Sequence, residues 1–320
     1  MAISFANPKE YITELVGTAI LVFIGCMFGT VIGTGLGVAI GFALTFVGLI
    51  YCLGKFSDCH FNPLITLSMF INGKMKADDT LWYVLAQIIG GIVGAVLCFL
   101  FLAISADTWD LLFYADYYGG YYVMYGQGGV EVMGAIIIEF LLAFLLSYVA
   151  MKATESKKID MRSGAVIAAA IFGLVYIGSW FTNTAVNPAK SIGAAIAMLF
   201  SGIKDSAEPF LQLWVFIIFP VLGAIVGTFI YMIMESGEFD LNKYLSSVKK
   251  NKAEDAEEEY SEETAEEPSE DVAEEPVAEA PVEEPAAEEP VAEAPVEEIP
   301  EIESVEPTPG ADSEEEPKKE

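Results

Sequence analysis

Six long apolar stretches constrain this chain more than any other feature of its sequence. A segment of about 20 apolar residues can cross the roughly 30 Å hydrocarbon core of a bilayer as an α-helix. Lipid offers no partner to backbone polar groups, so a spanning segment must satisfy its hydrogen bonds internally, as a helix does. The sequence therefore predicts an all-α membrane protein with six transmembrane helices, near residues 10–32, 36–54, 81–105, 131–152, 163–181 and 209–235.

Two Asn-Pro pairs, Asn62-Pro63 and Asn187-Pro188, each precede an apolar run that is too short to cross a bilayer. Proline is favoured in the first turn of a helix, where its missing N–H would have no partner anyway. We therefore expect two half-helices, in the second–third and fifth–sixth connections, near residues 62–71 and 187–199. Interrupted helices inside a membrane protein often form a binding site or a pore.

The two halves of the chain repeat. Glu14 precedes Asn62 by 48 residues, Glu139 precedes Asn187 by the same 48, and the two asparagines are 125 residues apart. Because each half contains three spans, the copies have opposite orientations in the membrane. The sequence thus predicts inverted repeats over about 8–105 and 131–235, with the functional site at their interface.

Basic residues predict the orientation, because they are enriched in cytoplasmic connections. The connection after the third span has several aspartates and no lysine or arginine, so it should face outward. We expect a multi-pass protein of the cell membrane with both termini in the cytoplasm. Lys190 and Lys204 fall on the outer side, against the rule. The cytoplasmic set is Lys9, Lys55, Lys74, Lys76, Lys152, Lys157, Lys158, Arg162, Lys243, Lys249, Lys250 and Lys252.

The formal charge of −30 is concentrated at the C-terminal end. Residues 253–320 contain 29 acidic and 2 basic residues, which leaves 17 acidic and 14 basic for residues 1–252. A sequence rich in Glu and Pro and poor in apolar residues cannot bury a core. We expect a channel or transporter domain over 1–240 and a disordered acidic tail over 241–320. The tail is either a solvated extension or an acidic arm that binds cytosolic partners.

Cysteine and histidine give no sign of a metal, a cofactor or an enzyme active site. The lone histidine, His60, follows Cys59, but adjacent side chains seldom face each other and no third orienting group is evident. His60 is instead expected to line the cytoplasmic half of a pore. No partner such as nucleic acid is indicated. The four cysteines, which we interpret as packing residues, are Cys26, Cys52, Cys59 and Cys98.

The two intramembrane glutamates, Glu14 and Glu139, need partners, because a bare charge is costly in a bilayer. They are either proton-relay acids or acceptors that fix the irregular backbone leading into each half-helix, and their symmetric placement favours the second, so we expect structural buried acids. Two half-helices meeting end to end would direct their partly positive N-termini at one point near the midplane. Asn62 and Asn187 would place amide donors there. Water would be oriented at this point and cations repelled.

With these residues in place, the sequence resembles the aquaporin, or major intrinsic protein, family over nearly all of residues 8–235. The motifs that carry the resemblance are the doubled NPA-type boxes, Asn62-Pro63-Leu64 and Asn187-Pro188-Ala189, with the glutamate of each half. The resemblance implies six spans with two re-entrant half-helices, a homotetramer in the lipid bilayer, and one pore in each subunit.

The resemblance also implies a selectivity filter on the outer side, at Phe42, Val175, Thr184 and Lys190. Water-selective members usually carry His and Arg where this chain has Val175 and Lys190. Valine removes an imidazole donor and should widen the constriction, and lysine keeps the positive charge without the planar guanidinium group. Leu64 stands where the first box usually has alanine.

The predicted function is a passive transmembrane channel for water and small neutral solutes, such as glycerol or dissolved gases, that excludes ions and protons. A proton-coupled secondary transporter is the alternative, because such transporters also use inverted repeats and broken helices. A transporter would need titratable groups along its path, and His60, Glu14 and Glu139 are the candidates.

Overall fold

The computed structural model describes residues 5–32, 34–105, 130–184, 186–200 and 206–236. The predicted acidic tail over 241–320 lies outside these residues, and so does nearly all of the connection between the third and fourth spans.

Within the described ranges the chain forms nine α-helices. Six of them are long and apolar enough to cross a membrane, which confirms the all-α membrane architecture. The bounds are α1 Pro8–Ile32, α2 Gly35–Leu53, α3 Pro63–Ile71, α4 Ala77–Ser105, α5 Val132–Ala153, α6 Met161–Ser179, α7 Pro188–Leu199, α8 Glu208–Leu211 and α9 Leu213–Ser236. The helices α3 and α7 are the half-helices, and α8 is a single short turn.

Two predicted boundaries are wrong. The third span begins at Ala77 instead of near 81, because Asp78 and Asp79 form its first turn, where acidic side chains complement the helix dipole. The last span is not continuous from residue 209. The short helix α8, with Pro209 in its first turn, ends at Leu211, and α9 starts at Leu213.

Glycines bring the first and third membrane spans of each half, α1 with α4 and α5 with α9, into backbone contact. A Cβ at Gly90 in α4 would collide with the carbonyl oxygen of Leu15 in α1. The second half repeats this contact between Gly223 in α9 and Phe140 in α5. One turn further along, Gly94 in α4 and Gly227 in α9 make equivalent contacts with the backbone of α1 and α5. Small residues allow membrane helices to approach this closely. The inverted repeat is thus present in the packing as well as in the sequence.

The half-helices pack across the boundary between the two halves. The first half-helix, α3, contacts α4 of its own half and also α5 and α9 of the other. The second half-helix, α7, packs against α9 and against α4 of the first half. Each half therefore supports the short helix of the other half.

The distribution of polar and apolar residues suits a lipid environment. The charged and amide side chains in the middle of the spans, Glu14, Gln87 and Glu139, are buried. Large apolar side chains instead cover the outer surface, for example Leu44, Leu97 and Ile104. Such a surface is favourable in a bilayer and unfavourable in water.

Candidate functional site

The two asparagines lie at the N-termini of the half-helices and link the two halves to each other. The Oδ1 atom of Asn62 accepts from the backbone N–H of Leu64 at 3.0 Å, and its Nδ2 donates to the Val186 carbonyl at 2.9 Å. Asn187 makes the matching pair with the N–H of Ala189 at 3.0 Å and the Phe61 carbonyl at 2.9 Å. Each side chain therefore caps its own helix and holds the opposite connection.

The junction can present donors to a small polar molecule. An amide nitrogen carries two hydrogens, and the carbonyl bond of each asparagine uses one of them. Both asparagines are 3% exposed, whereas Leu64 and Ala189, two residues further on, are fully buried. The prolines between them, Pro63 and Pro188, occupy the first helical turn as predicted. Leu64, the unusual residue of the first box, thus packs in the core.

The connection before each half-helix is held in an unfavourable backbone conformation. Phe61 and Val186, the residues before the asparagines, have φ angles of 48° and 52°. A positive φ is uncommon for residues other than glycine and is costly for a β-branched residue such as valine. Cys59 and Asn183 also have positive φ angles, of 62° and 56°. Surrounding contacts must stabilise these turns.

Glu14 supplies such contacts in the first half. Its Oε1 accepts from the Ser57 hydroxyl at 3.0 Å and the His60 N–H at 3.1 Å. Its Oε2 accepts from the Phe61 N–H and from the Gln87 side-chain amide, both at 2.8 Å. The carboxylate is fully buried, and all four donors belong to the first half. In this geometry Glu14 is an acceptor for the strained connection.

Glu139 has the equivalent place in the second half. It accepts from the hydroxyls of Thr182 at 2.6 Å and Thr184 at 3.1 Å. Thr182 corresponds to Ser57 in the repeat, five residues before the asparagine. The position that corresponds to Gln87 is Pro220, by the same spacing of 133 residues that relates Gly90 to Gly223. The two carboxylates therefore share a role but differ in their partners.

The four residues predicted for a filter come from three helices and one connection. Phe42 lies in α2 and packs on Gly25 of α1, Val175 lies in α6, and Lys190 lies in the first turn of α7. Lys190 is fully buried, and its Nζ donates to the Asn183 carbonyl at 3.2 Å. Thr184 directs its hydroxyl to Glu139 and accepts from the Val186 N–H at 3.0 Å. The hydroxyl of Thr184 is thus engaged within its connection.

Both ring nitrogens of His60 are bound to protein atoms. Nε2 lies 2.7 Å from the Lys157 carbonyl, and Nδ1 lies 3.1 Å from the Thr66 hydroxyl. A carbonyl can only accept, so Nε2 carries a hydrogen, and in the neutral ring Nδ1 must accept from Thr66. The Gln87 amide donates to Thr66 at 2.9 Å. A chain of hydrogen bonds therefore runs from α4 through His60 to the connection between α5 and α6.

Sequence reasoning missed the residues that surround His60. Gln87 is the one amide within the apolar stretch of α4, and that isolation could have identified it. Lys157 gave no such signal, because it is one of several lysines in a connection that the sequence predicts to be cytoplasmic. Its Nζ lies 3.3 Å from Asp58 and 3.9 Å from Glu10. Burial alone would lower the pKa of Lys157, but these carboxylates outweigh it and hold that pKa above its ordinary value.

The same connection has a second lysine contact. The Nζ of Lys74, which follows α3, donates to the Thr154 carbonyl at 2.5 Å, and desolvation lowers the pKa of Lys74.

Within the described ranges, no three His, Cys, Asp or Glu side chains are grouped so that they could hold a metal ion. The polar interior is thus used for hydrogen bonds and ion pairs between connections.

Comparison with known proteins gives a consistent result. Residues 1–231 match the family model described as Major intrinsic protein. Aquaporin Z of Photorhabdus laumondii is 30% identical over 235 residues, which covers 71% of this chain and 97% of that protein. Aquaporin Z of Rhodopseudomonas palustris is 31% identical over 237 residues, which covers 71% and 94%.

A solved structure has the same fold. The X-ray structure of the aquaglyceroporin from Plasmodium falciparum superimposes with a TM-score of 0.60 at 20% identity. The match covers 71% of this chain and 96% of that one.

Proposed function

Because the chain belongs to the major intrinsic protein family, we propose that it conducts water through the junction of its two half-helices. It is a passive multi-pass membrane channel and not an enzyme. The names of the two bacterial relatives support water as a substrate. The observation that carries the proposal is the reciprocal binding of Asn62 and Asn187, which holds two partly positive helix ends at one point.

This junction favours neutral molecules over cations. The second amide hydrogen of each asparagine is the donor that water passing the junction would meet, so the water oxygen would face the junction. Two helix N-termini and the ammonium of Lys190 contribute positive charge to the same region. A cation or hydronium would meet repulsion and would lose its hydration, while water would exchange one hydrogen bond for another.

Phe42, Val175, Thr184 and Lys190 form the proposed filter. Their side chains are all at most 2% exposed, so a sphere the size of water barely reaches them. Val175 is fully buried in α6 and contributes an apolar side chain without a hydrogen-bond donor. Lys190 adds a positive charge, and its bond to Asn183 orients the ammonium. His60 contributes to the inner wall.

The contacts of the two glutamates argue against a proton-coupled transporter. Glu14 has four donors and Glu139 has two hydroxyl donors, so each carboxylate serves as an acceptor for its connection. A relay acid must gain and lose a proton during transport, which would break these bonds at each cycle. A structural role for both residues is the better explanation.

The wider organisation is proposed from the family and the sequence. The channel domain covers 1–240, with inverted repeats over 8–105 and 131–235, and 241–320 form a cytoplasmic acidic tail. The family match ends at residue 231, which supports a boundary near this point. The protein forms a homotetramer in the cell membrane, with both termini in the cytoplasm.

A comparison of solutes tests the proposed function. Purified protein in lipid vesicles should accelerate osmotic water efflux above that of empty vesicles, because water passing the junction exchanges one hydrogen bond for another. Glycerol and urea uptake, measured beside it, reports which small neutral solutes pass the same filter. Stopped-flow light scattering measures all three in one preparation. Equal water rates with and without protein would refute a water channel.

A further inference from the structure

We propose that Lys157 is a positioning residue that keeps the imidazole of His60 in the channel wall and out of the water path. The inference rests on the proposed water conduction. It assigns a role to the connection between α5 and α6, here called the inner connection, residues 154–160.

The inner connection belongs to the second half but is bound to the first at several points. The Lys157 ammonium contacts Asp58 and Glu10, and the N–H of Ile159 donates to the Asp58 carbonyl at 3.0 Å. Lys74 holds the Thr154 carbonyl. The half-buried Lys157 ammonium thus fixes the segment that carries the carbonyl bound by His60.

The Lys157 carbonyl is the acceptor that fixes one edge of the His60 ring. Nε2 carries a hydrogen in both the neutral and the charged imidazole, so this bond holds the ring in either state. The Thr66 hydroxyl fixes the other edge, at Nδ1. With both nitrogens engaged and the ring fully buried, His60 offers no free polar atom to passing water.

Release of the inner connection would change this. An unpaired N–H in a buried site is costly, so the ring would turn toward another acceptor. Water in the adjacent pore is the available acceptor, because His60 lies two residues before Asn62 at the polar junction. A ring that turns inward would obstruct a single file of water. Once protonated, it would also add positive charge to that file.

Several charged or titratable groups face His60. Glu14 from α1 accepts from its backbone N–H, and the Tyr83 ring of α4 lies 5.4 Å from the imidazole between centroids. Asp58 and Cys59 precede it in the chain, and Lys157 faces it from the inner connection.

The test is the pH profile of water permeability in Lys157→Met vesicles. We expect wild-type permeability to be flat between about pH 5 and 8, where free imidazole titrates. Lys157→Met should conduct less water, with permeability at pH 5.5 about twofold or more below that at pH 7.5. Lys157→Arg, which keeps the ion pairs, should restore the flat profile. His60→Ala combined with Lys157→Met should also be flat.

Lys158→Met is the matched control, because Lys158 is the exposed neighbour in the same connection. Asp58→Asn, which removes the nearer carboxylate, gives a second route to the same release if Lys157→Met does not fold. A flat profile in both variants, with fast water flow in the wild type, would overturn this inference alone. No water flow in the wild type would overturn the proposed function and this inference with it.

Discussion

Replacement of Glu14 by alanine is expected to prevent assembly of a stable channel. The substitution leaves four buried donors without an acceptor, two of them backbone N–H groups in a connection with positive φ angles. Each buried donor left unpaired costs about 1–3 kcal/mol, and whole domains are stable by only about 5–15 kcal/mol. The loss is therefore comparable with the total stability of the protein.

Thermal unfolding in detergent, followed by tryptophan fluorescence, measures this effect. Glu14→Gln should also destabilise the protein strongly, because one acceptor oxygen becomes an NH2 group that faces other donors. Glu131→Ala is the matched control, since Glu131 is exposed and its side chain makes no cap hydrogen bond at the start of α5. An unfolding temperature of Glu14→Ala equal to that of the control would contradict the acceptor role.

Replacement of Gly193 by alanine is expected to displace the second half-helix and with it the junction. A Cβ at Gly193 in α7 would collide with the carbonyl group of Gly91 in α4. A Cβ at Gly91 would in turn collide with the carbonyl group of Ala189 in α7. The obstructing atoms are helix backbone, so α7 must move away from α4. Lys190 lies in the first turn of the same short helix and Asn187 caps it, so both residues would move with it.

The direction of the stability change distinguishes overpacking from the usual effect of alanine in a helix. Alanine normally stabilises a helix relative to glycine by about 1 kcal/mol, whereas overpacking of a tight core costs about 1–3 kcal/mol. Gly193→Ala should therefore lower both the unfolding temperature and the water permeability. Gly173→Ala in α6, where an added Cβ meets no atom within 4 Å, should do neither. If Gly193→Ala and Gly173→Ala had the same unfolding temperature and the same water permeability, α7 could move away from α4 without loss of stability, and the prediction would be wrong.

The framework of the protein follows from its sequence because it depends on local patterns. Length and apolar content determine the six spans, and each Asn-Pro pair determines a helix start, with asparagine as cap and proline in the first turn. The repeat of Glu14 and Glu139 at equal distances from the asparagines indicated a shared role. The contacts of Glu14 with the strained connection are consistent with that reasoning.

The contacts between distant connections could not be obtained in the same way. Nothing local distinguishes Lys157 from Lys158, and yet one is half-buried between two carboxylates while the other is exposed. The direction of the Thr184 hydroxyl depends on where α5 brings Glu139. The break before α9 was also missed, because apolar content alone does not distinguish a short turn from the start of a span.

The two halves of the inverted repeat resemble each other more in their backbone contacts than in the side chains at equivalent positions. Glycine contacts, capping asparagines and strained residues recur in both halves, but Gln87 has Pro220 as its counterpart and Thr66 has Ser191. Thr66 contacts His60, whereas Ser191 donates to the Asn187 carbonyl at 3.2 Å. The inner half of the proposed pore therefore has a polar network around His60, and the outer half has the Lys190 ammonium beside the Glu139 hydrogen bonds.

The most direct test of the channel is a paired measurement of water and proton flux in the same protein-containing vesicles. The opposed half-helices and the Lys190 charge predict osmotic shrinkage well above that of empty vesicles, together with a proton leak equal to theirs in a pH-dye assay. Lys190→Ala vesicles, which lack the charge, serve as the comparison in which the leak should rise. Shrinkage at the empty-vesicle rate, or a wild-type proton leak that rises in step with water flux, would contradict the account.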